Sequence, residues 1–224
     1  MAREGWPFIM SGLIVAAIGA ALGASVHPGW YALAAVAGIL TVFVAYFFRD
    51  PDRVAPDSDG AIVSVADGRI VSVIRRPDGR TQIDTFLSVF NVHVNRSPAA
   101  GRVVATEYRP GRFFPAMKPE AGRLNERQDI VLQTSAGELQ FAQIAGVLAR
   151  RIVCRVRAGD ELKTGERVGM IRFGSRAEVV LPAGFDAAVA LGDKVRAGET
   201  IIGQRVSAGR HADEQDVAAG LAVS

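Results

Sequence analysis

Residues 5–48 contain no Asp, Glu, Lys or Arg. Two apolar runs lie inside this window, Pro7 to Val26 (20 residues) and Tyr31 to Phe48 (18 residues), separated by the turn-forming "HPGW". A helix needs about 20 apolar residues to cross a bilayer, within a range of about 17–25, so each run is long enough. A secretory signal has one shorter apolar region followed by a cleavage site, not by a second run; a single re-entrant element is the other alternative. The pair predicts a membrane hairpin over residues 1–50. Arg3 precedes it, Arg49 and Arg53 follow it, and the connecting turn has no Lys or Arg. The positive-inside tendency then puts both ends in the cytoplasm, at the cell (inner) membrane. Trp6, Trp30 and Tyr31 fall where interfacial aromatics belong.

The remainder reads as a β-rich domain over residues 51–206. After the Pro/Asp-rich stretch "RDPDRVAPDSDG", short runs such as "AIVSV", "RIVSVI", "DIVLQT" and "AEVVLP" alternate with Gly, Pro and Asp. Such spacing indicates an all-β barrel or sandwich in place of βαβ units; only "GVLARRI" could form a helical turn. "GDELKTGERVGMI" (Gly159 to Ile171) recurs as "GDKVRAGETIIGQ" (Gly192 to Gln204), 33 residues on. Its paired glycines permit turns with positive φ, and the pattern resembles the turns of biotinyl/lipoyl-type barrel-sandwich domains. Residues 207–224, rich in Ala and Gly, predict a disordered tail.

Residues 49–206 carry five more basic than acidic side chains. A basic domain beside a membrane is drawn to anionic headgroups. The arginines are scattered, without a basic stripe interleaved with aromatics, which argues for a lipid partner and against nucleic acid. The single cysteine, Cys154, excludes an intramolecular disulfide and fits a reducing compartment. No metal site is predicted.

Three residues attract chemical attention, and each has a bland reading alone. His93 is the one histidine in the folded body, since His27 lies in the turn and His211 in the tail. It is equally at home as a core residue. Asp67 in "ADG" suits a hairpin turn. Gly174-Ser175, flanked by arginines inside "MIRFGSRAEVVLP" (170–182), suits a bulge in a strand. One chemistry would join them. A serine hydroxyl can attack the carbonyl of the preceding residue, and a glycine there removes the Cβ that obstructs the approach. A histidine would take the hydroxyl proton and a carboxylate would orient it. Elimination from the resulting ester and loss of ammonia leave a pyruvoyl group, a cofactor made from the chain itself.

In order along the chain, "FFRDP", "VSVADGRI", "FLSVFNVHVNRSP", "NER", "QIAGVLARRIV" and "RFGSR" resemble the phosphatidylserine decarboxylases in their short bacterial and archaeal form, from about Tyr46 to Gln204. The resemblance implies a carbon–carbon lyase that converts phosphatidylserine to phosphatidylethanolamine, made as a proenzyme. It implies self-cleavage between Gly174 and Ser175 into chains 1–174 and 175–224, and a Ser175-derived pyruvoyl that forms a Schiff base with the substrate amine. Asp67 and His93 fall on the family's Asp-Gly and histidine motifs. Longer members carry a second histidine three residues after the first, and it partners the serine in self-cleavage. Here that position is Arg96, so His93 serves both steps or another group is the base for maturation.

On a strand, His93 and Asn91 would share a face opposite Val92 and Val94, which would let the ring face a cleft. There, with a pKa near neutrality, His93 could protonate the substrate Cα after decarboxylation. Arg112, Lys118, Arg123 and Arg127 are candidates for the substrate phosphate. A homo-oligomer is compatible with the sequence. "AMK" (Ala116 to Lys118) suggests a rival, a biotin carrier modified at Lys118, but this lysine precedes both repeat turns instead of lying between them. A membrane adaptor, or a pyruvoyl decarboxylase of another amine, are the further alternatives.

Overall fold

The computed structural model describes residues 1–58, 60–115, 121–146, 151–172 and 175–206, and of residues 121 and 123 it describes the backbone alone. "GVLARRI" falls partly, and the tail 207–224 wholly, outside the described residues.

Two antiparallel helices lead, α1 (Trp6–Ser25) and α2 (Trp30–Phe47). Pro7 sits in the first turn of α1, where a missing N–H costs nothing. Gly12 lies against Thr41, Gly19 against the Ala34 backbone and Gly23 against the Tyr31 ring, so close that a Cβ at any of them would clash. Small residues let apolar helices approach in this way. Leu13, Ile14, Ile18, Ile39 and Val42 point outward, each more than half exposed. The two helices have the length and apolar character to cross a membrane.

Among the described residues fourteen strands follow: β1 (Ile62–Val63), β2 (Gly68–Arg75), β3 (Thr81–Leu87), β4 (Val94–Arg96), β5 (Gly101–Arg109), β6 (Arg127–Thr134) and β7 (Gly137–Ile144); then β8 (Ile152–Cys154), β9 (Glu161–Leu162), β10 (Arg167–Ile171), β11 (Ser175–Val180), β12 (Phe185–Ala187), β13 (Lys194–Val195) and β14 (Ile201–Arg205). They form a curled eight-stranded half-barrel in the order β13-β2-β3-β11-β7-β6-β5-β9, and two three-stranded sheets, β1-β14-β12 and β4-β10-β8. The core lies on the inner face of the half-barrel, around Ile70, Ile83, Leu87, Leu132, Leu139, Ala177 and Val179.

The repeat folds as the sequence suggests. Gly159, Gly165, Gly192 and Gly198 all have φ between 74° and 99°. Asp160 and Asp193 each accept a bond from the N–H three residues earlier (Arg157, 3.0 Å; Ala190, 2.8 Å). The repeat also extends beyond the turns. Gly165 N–H bonds Ser97 C=O (2.9 Å) and Gly198 N–H bonds Ser64 C=O (2.8 Å), while the Ser64 and Ser97 hydroxyls cap Ala66 and Ala99 at 2.7 and 2.8 Å. The two turns meet at Gly165 and Gly198.

Between β10 and β11 the chain changes sheet. Ser175 therefore does not sit in a bulge of one continuous strand: it opens β11, which pairs without register shift along both edges.

The helices are docked onto the β domain. Ala2, Phe47 and Phe48 pack with Val92, Val94 and Met170, and Glu4 accepts two bonds from Arg155, each 2.7 Å. The stretch after α2 is strapped down as well. Asp50 receives bonds from Arg167 (2.7 Å) and Arg96 (3.2 Å), and Arg53 reaches Asp67 (2.9 Å) and Glu199 (2.7 Å).

Candidate active site

Ser175 opens β11 opposite Leu87 of β3. Its side chain is buried, and Oγ has no hydrogen-bond partner among the described residues. Alternation puts Ser175 on the same face of β11 as Ala177 and Val179, toward the core. Ala177 pairs with Gln143 of β7, so Gln143 shares that face. Gln143 Nε2 donates to Asn95 Oδ1 of β4 (2.9 Å) while Gln143 Oε1 and Asn95 Nδ2 stay unpaired. Asn95 stands two residues after His93, whose Nε2 is also buried without a partner. Four orphaned polar atoms thus belong to Ser175, Gln143, Asn95 and His93, which are related by a shared face, one hydrogen bond and closeness along the chain. Unpaired buried polar groups are rare and costly, and their concentration marks a site kept for something other than stability.

His93 differs from the sequence expectation. It precedes β4 in a non-strand segment, and Val92, His93 and Val94 are all buried. The alternation fails because a turn closed by Asn91, which accepts from the Ser88 N–H (2.9 Å) and hydroxyl (2.8 Å), breaks the strand. The ring packs against Phe47 at the foot of α2, with centroids 4.2 Å apart, and so does not look into an open cleft. Burial pushes the His93 pKa down to about 4; the bond to Asn91 opposes the shift and nearby Arg49 adds to it. The near-neutral pKa expected from the sequence is thereby corrected for the unsplit chain, in which the ring is neutral at pH 7. Nδ1 lies 2.9 Å from Asn91 C=O, an acceptor. The N–H must therefore sit on Nδ1, leaving the orphaned Nε2 with a free lone pair.

Phe47 should control this state. Phe47→Ala is expected to cost about 3–5 kcal/mol of stability and to admit water to His93, raising its pKa from about 4 toward the ordinary histidine value. A thermal melt in detergent checks the first effect and an imidazole titration by NMR the second.

Asp67 is engaged elsewhere. One oxygen takes the Ala197 N–H (2.8 Å) and the other pairs with Arg53 (2.9 Å). It nevertheless lines a cavity of about 630 Å³ with Phe86, Ser88 and Asn91, beside Leu87, the partner of Ser175. Arg96, at the position of the longer members' second histidine, is locked by Gly165 C=O (2.9 Å), Pro51 C=O (2.8 Å) and Asp50 (3.2 Å).

The phosphate candidates separate. Arg127 is committed to Asp129, Glu178 (3.2 Å) and Gly122 C=O (2.6 Å), and Arg112 is exposed beside Asn125. Gly174, Lys118 and the Arg123 side chain lie outside the described residues. Arg127 also lines a groove of about 920 Å³ with Asp84, Arg176 and Glu178. That groove occupies the opposite face of β11 from Ser175, so it is not the serine's site. Asn95, Gln143 and Phe47 carry no signal of function in the sequence, although each lies within or beside a stretch that bears the family resemblance.

A group derived from Ser175 fits this environment. The hydroxyl is sheltered from water, unpartnered, and on the same face as the orphaned amide of Gln143.

Comparison with known proteins agrees. The phosphatidylserine decarboxylase family model matches residues 40–203. A phosphatidylserine decarboxylase proenzyme of Desulfotalea psychrophila is 44% identical over 212 residues, covering 91% of this chain and 96% of its own length. The proenzyme of the same name from Burkholderia mallei is 46% identical over 211 residues (91% and 94%), and that of Citrifermentans bemidjiense 42% over 209 (91% and 95%). An unpartnered serine where the chain changes sheets, docked apolar helices and matches of this extent agree: this chain belongs to the phosphatidylserine decarboxylase family.

Proposed function

We propose that the chain is a proenzyme that cuts itself between Gly174 and Ser175 and then decarboxylates phosphatidylserine to phosphatidylethanolamine at a membrane surface. The observation that carries this reading is the buried, unpartnered Ser175 Oγ on the face it shares with Gln143, linked through Asn95 to the segment of His93. His93 Nε2, a neutral acceptor, takes the hydroxyl proton as Oγ attacks the Gly174 carbonyl. The C–N bond breaks, leaving an ester and a new amine. Elimination frees the Gly174 carboxylate, and water replaces the resulting enamine nitrogen, which leaves as ammonia. The pyruvoyl ketone so formed supplies an electron sink for the carbon–carbon cleavage. His93 afterwards relays through Nε2 the proton that the substrate Cα requires, and Phe47 keeps bulk water from it. Asp67, tied to Arg53, orients the segment bearing the cavity beside β3.

Both helices cross the membrane with the β domain in the cytoplasm, as the flanking Arg3, Arg49 and Arg53 favour. The biotin-carrier and adaptor readings give no account of the orphaned serine.

Intact-mass measurement tests the reading. Two chains should appear whose masses sum to that of the intact chain plus water less ammonia. The protein should release carbon dioxide from phosphatidylserine in detergent micelles and hardly at all from free serine, which lacks the remote binding energy of phosphate and acyl chains. Equal turnover of free serine would overturn the lipid assignment.

A further inference from the structure

Continuing the β8–β10 ladder beyond Ile152↔Ile171 places Arg151 directly across from Arg172, and Arg172 N–H donates to Arg151 C=O (3.3 Å). Like charges directly opposite on a sheet destabilise it. The Glu4 carboxylate offsets this only in part: it attracts Arg172 without bonding to it, since both of its oxygens are on Arg155, and neither Arg151 nor Arg172 forms a side-chain ion pair among the described residues. Arg172 Nε is in addition buried without a partner among the described residues, and its guanidinium lies 5.7 Å from the centre of the Phe8 ring on α1. Phe8 stacks on Phe48 at the end of α2, so this spot is the foot of the helix pair. It is also three residues before Ser175.

We infer that Arg151 and Arg172 together hold the phosphodiester of the lipid substrate. The inference rests on the decarboxylase reading and names the anion subsite of that reaction. Two arginines with unused donors match phosphate oxygens, and charge-assisted bonds of this kind are strong. The substrate carboxylate is the poorer choice. Its charge disappears as carbon dioxide leaves, so a cation fixed on it would stabilise the ground state more than the transition state. The phosphate keeps its charge throughout and lies at headgroup depth, where the helix feet stand. The pair replaces Arg127, whose guanidinium is already spent on carboxylates.

The test uses the full chain in neutral detergent micelles, with Arg151→Gln, Arg151→Glu and Arg172→Gln. Splitting should proceed in the Arg151 variants. KM for phosphatidylserine should rise about tenfold or more in Arg151→Gln and further in Arg151→Glu, with kcat changed much less. Inorganic phosphate should raise the melting temperature of the wild type and leave that of Arg151→Glu unmoved. If Arg172→Gln does not fold, the exposed Arg151 decides alone. A KM within twofold of wild type in both Arg151 variants overturns the inference. So does weaker binding to phosphatidylglycerol vesicles with unchanged micellar KM, which would make the pair a general surface contact. If the wild type releases no carbon dioxide from phosphatidylserine, the activity reading fails, and the phosphate-dependent melting shift still decides the anion site.

Discussion

Ser175→Ala is expected to leave a single chain of 23.8 kDa with no decarboxylase activity and a melting temperature slightly above that of the uncut wild-type chain. The rise in stability separates this outcome from simple misfolding. The wild-type hydroxyl is buried without a partner, and an unsatisfied buried polar group costs about 1–3 kcal/mol. Alanine removes that cost, fills almost the same volume and keeps the pairing of β11 with β3 and β7. A denaturing gel and a melt on one sample check both halves. An alanine variant that still splits would show that another bond is cut.

His93→Ala should slow splitting by about a hundredfold or more, the scale of one positioned base. In the wild type the sign of the pH dependence follows from the lowered pKa. A base with a pKa of about 4 is unprotonated above that value, so splitting should be flat from mildly acid to neutral pH and fall only below about 4. The same shift affects stability. The folded chain holds His93 neutral where the unfolded chain binds a proton, so stability should decline as pH falls from the ordinary histidine value toward about 4. Ser175→Ala with and without His93→Ala, melted across that range, isolates the histidine's contribution. Whatever fraction of His93→Ala does split should release carbon dioxide at a rate reduced by a further factor of about a hundred. Normal turnover by that fraction would refute the protonation role and confine His93 to maturation.

The helices, the repeat turns and the β character were legible because each rests on a local rule. Absence of charge over 44 consecutive positions, glycines at matched offsets and short branched runs need no knowledge of partners. The extension of the repeat to Ser64 and Ser97 was hidden because a serine that caps a carbonyl two residues on resembles any turn serine. His93 misled through the same locality. "NVHVN" alternates, and only the distant Phe47, together with the Asn91 turn, makes all three central residues buried. Arg127 looked available because its partners, Asp129 and Glu178, sit on two different strands. The cross-strand arginine pair required the register of β8 on β10, which composition cannot supply.

The position of β11 has a consequence for the lifetime of the enzyme. Strands from both sides of the cut interleave: β11 is hydrogen-bonded between β3 and β7, and β14 pairs with β1. Before cleavage, refolding is a unimolecular search within one chain. After it, the same native contacts join two molecules, and the shorter one carries too little apolar surface to fold alone. A cut protein that unfolds in dilute solution has to find its other half again, so the transition becomes concentration-dependent and, in practice, one-way. Maturation therefore converts a protein protected by equilibrium into one protected by the height of its unfolding barrier. A scan-rate-dependent melt of the split enzyme, beside a reversible melt of Ser175→Ala, would display the difference.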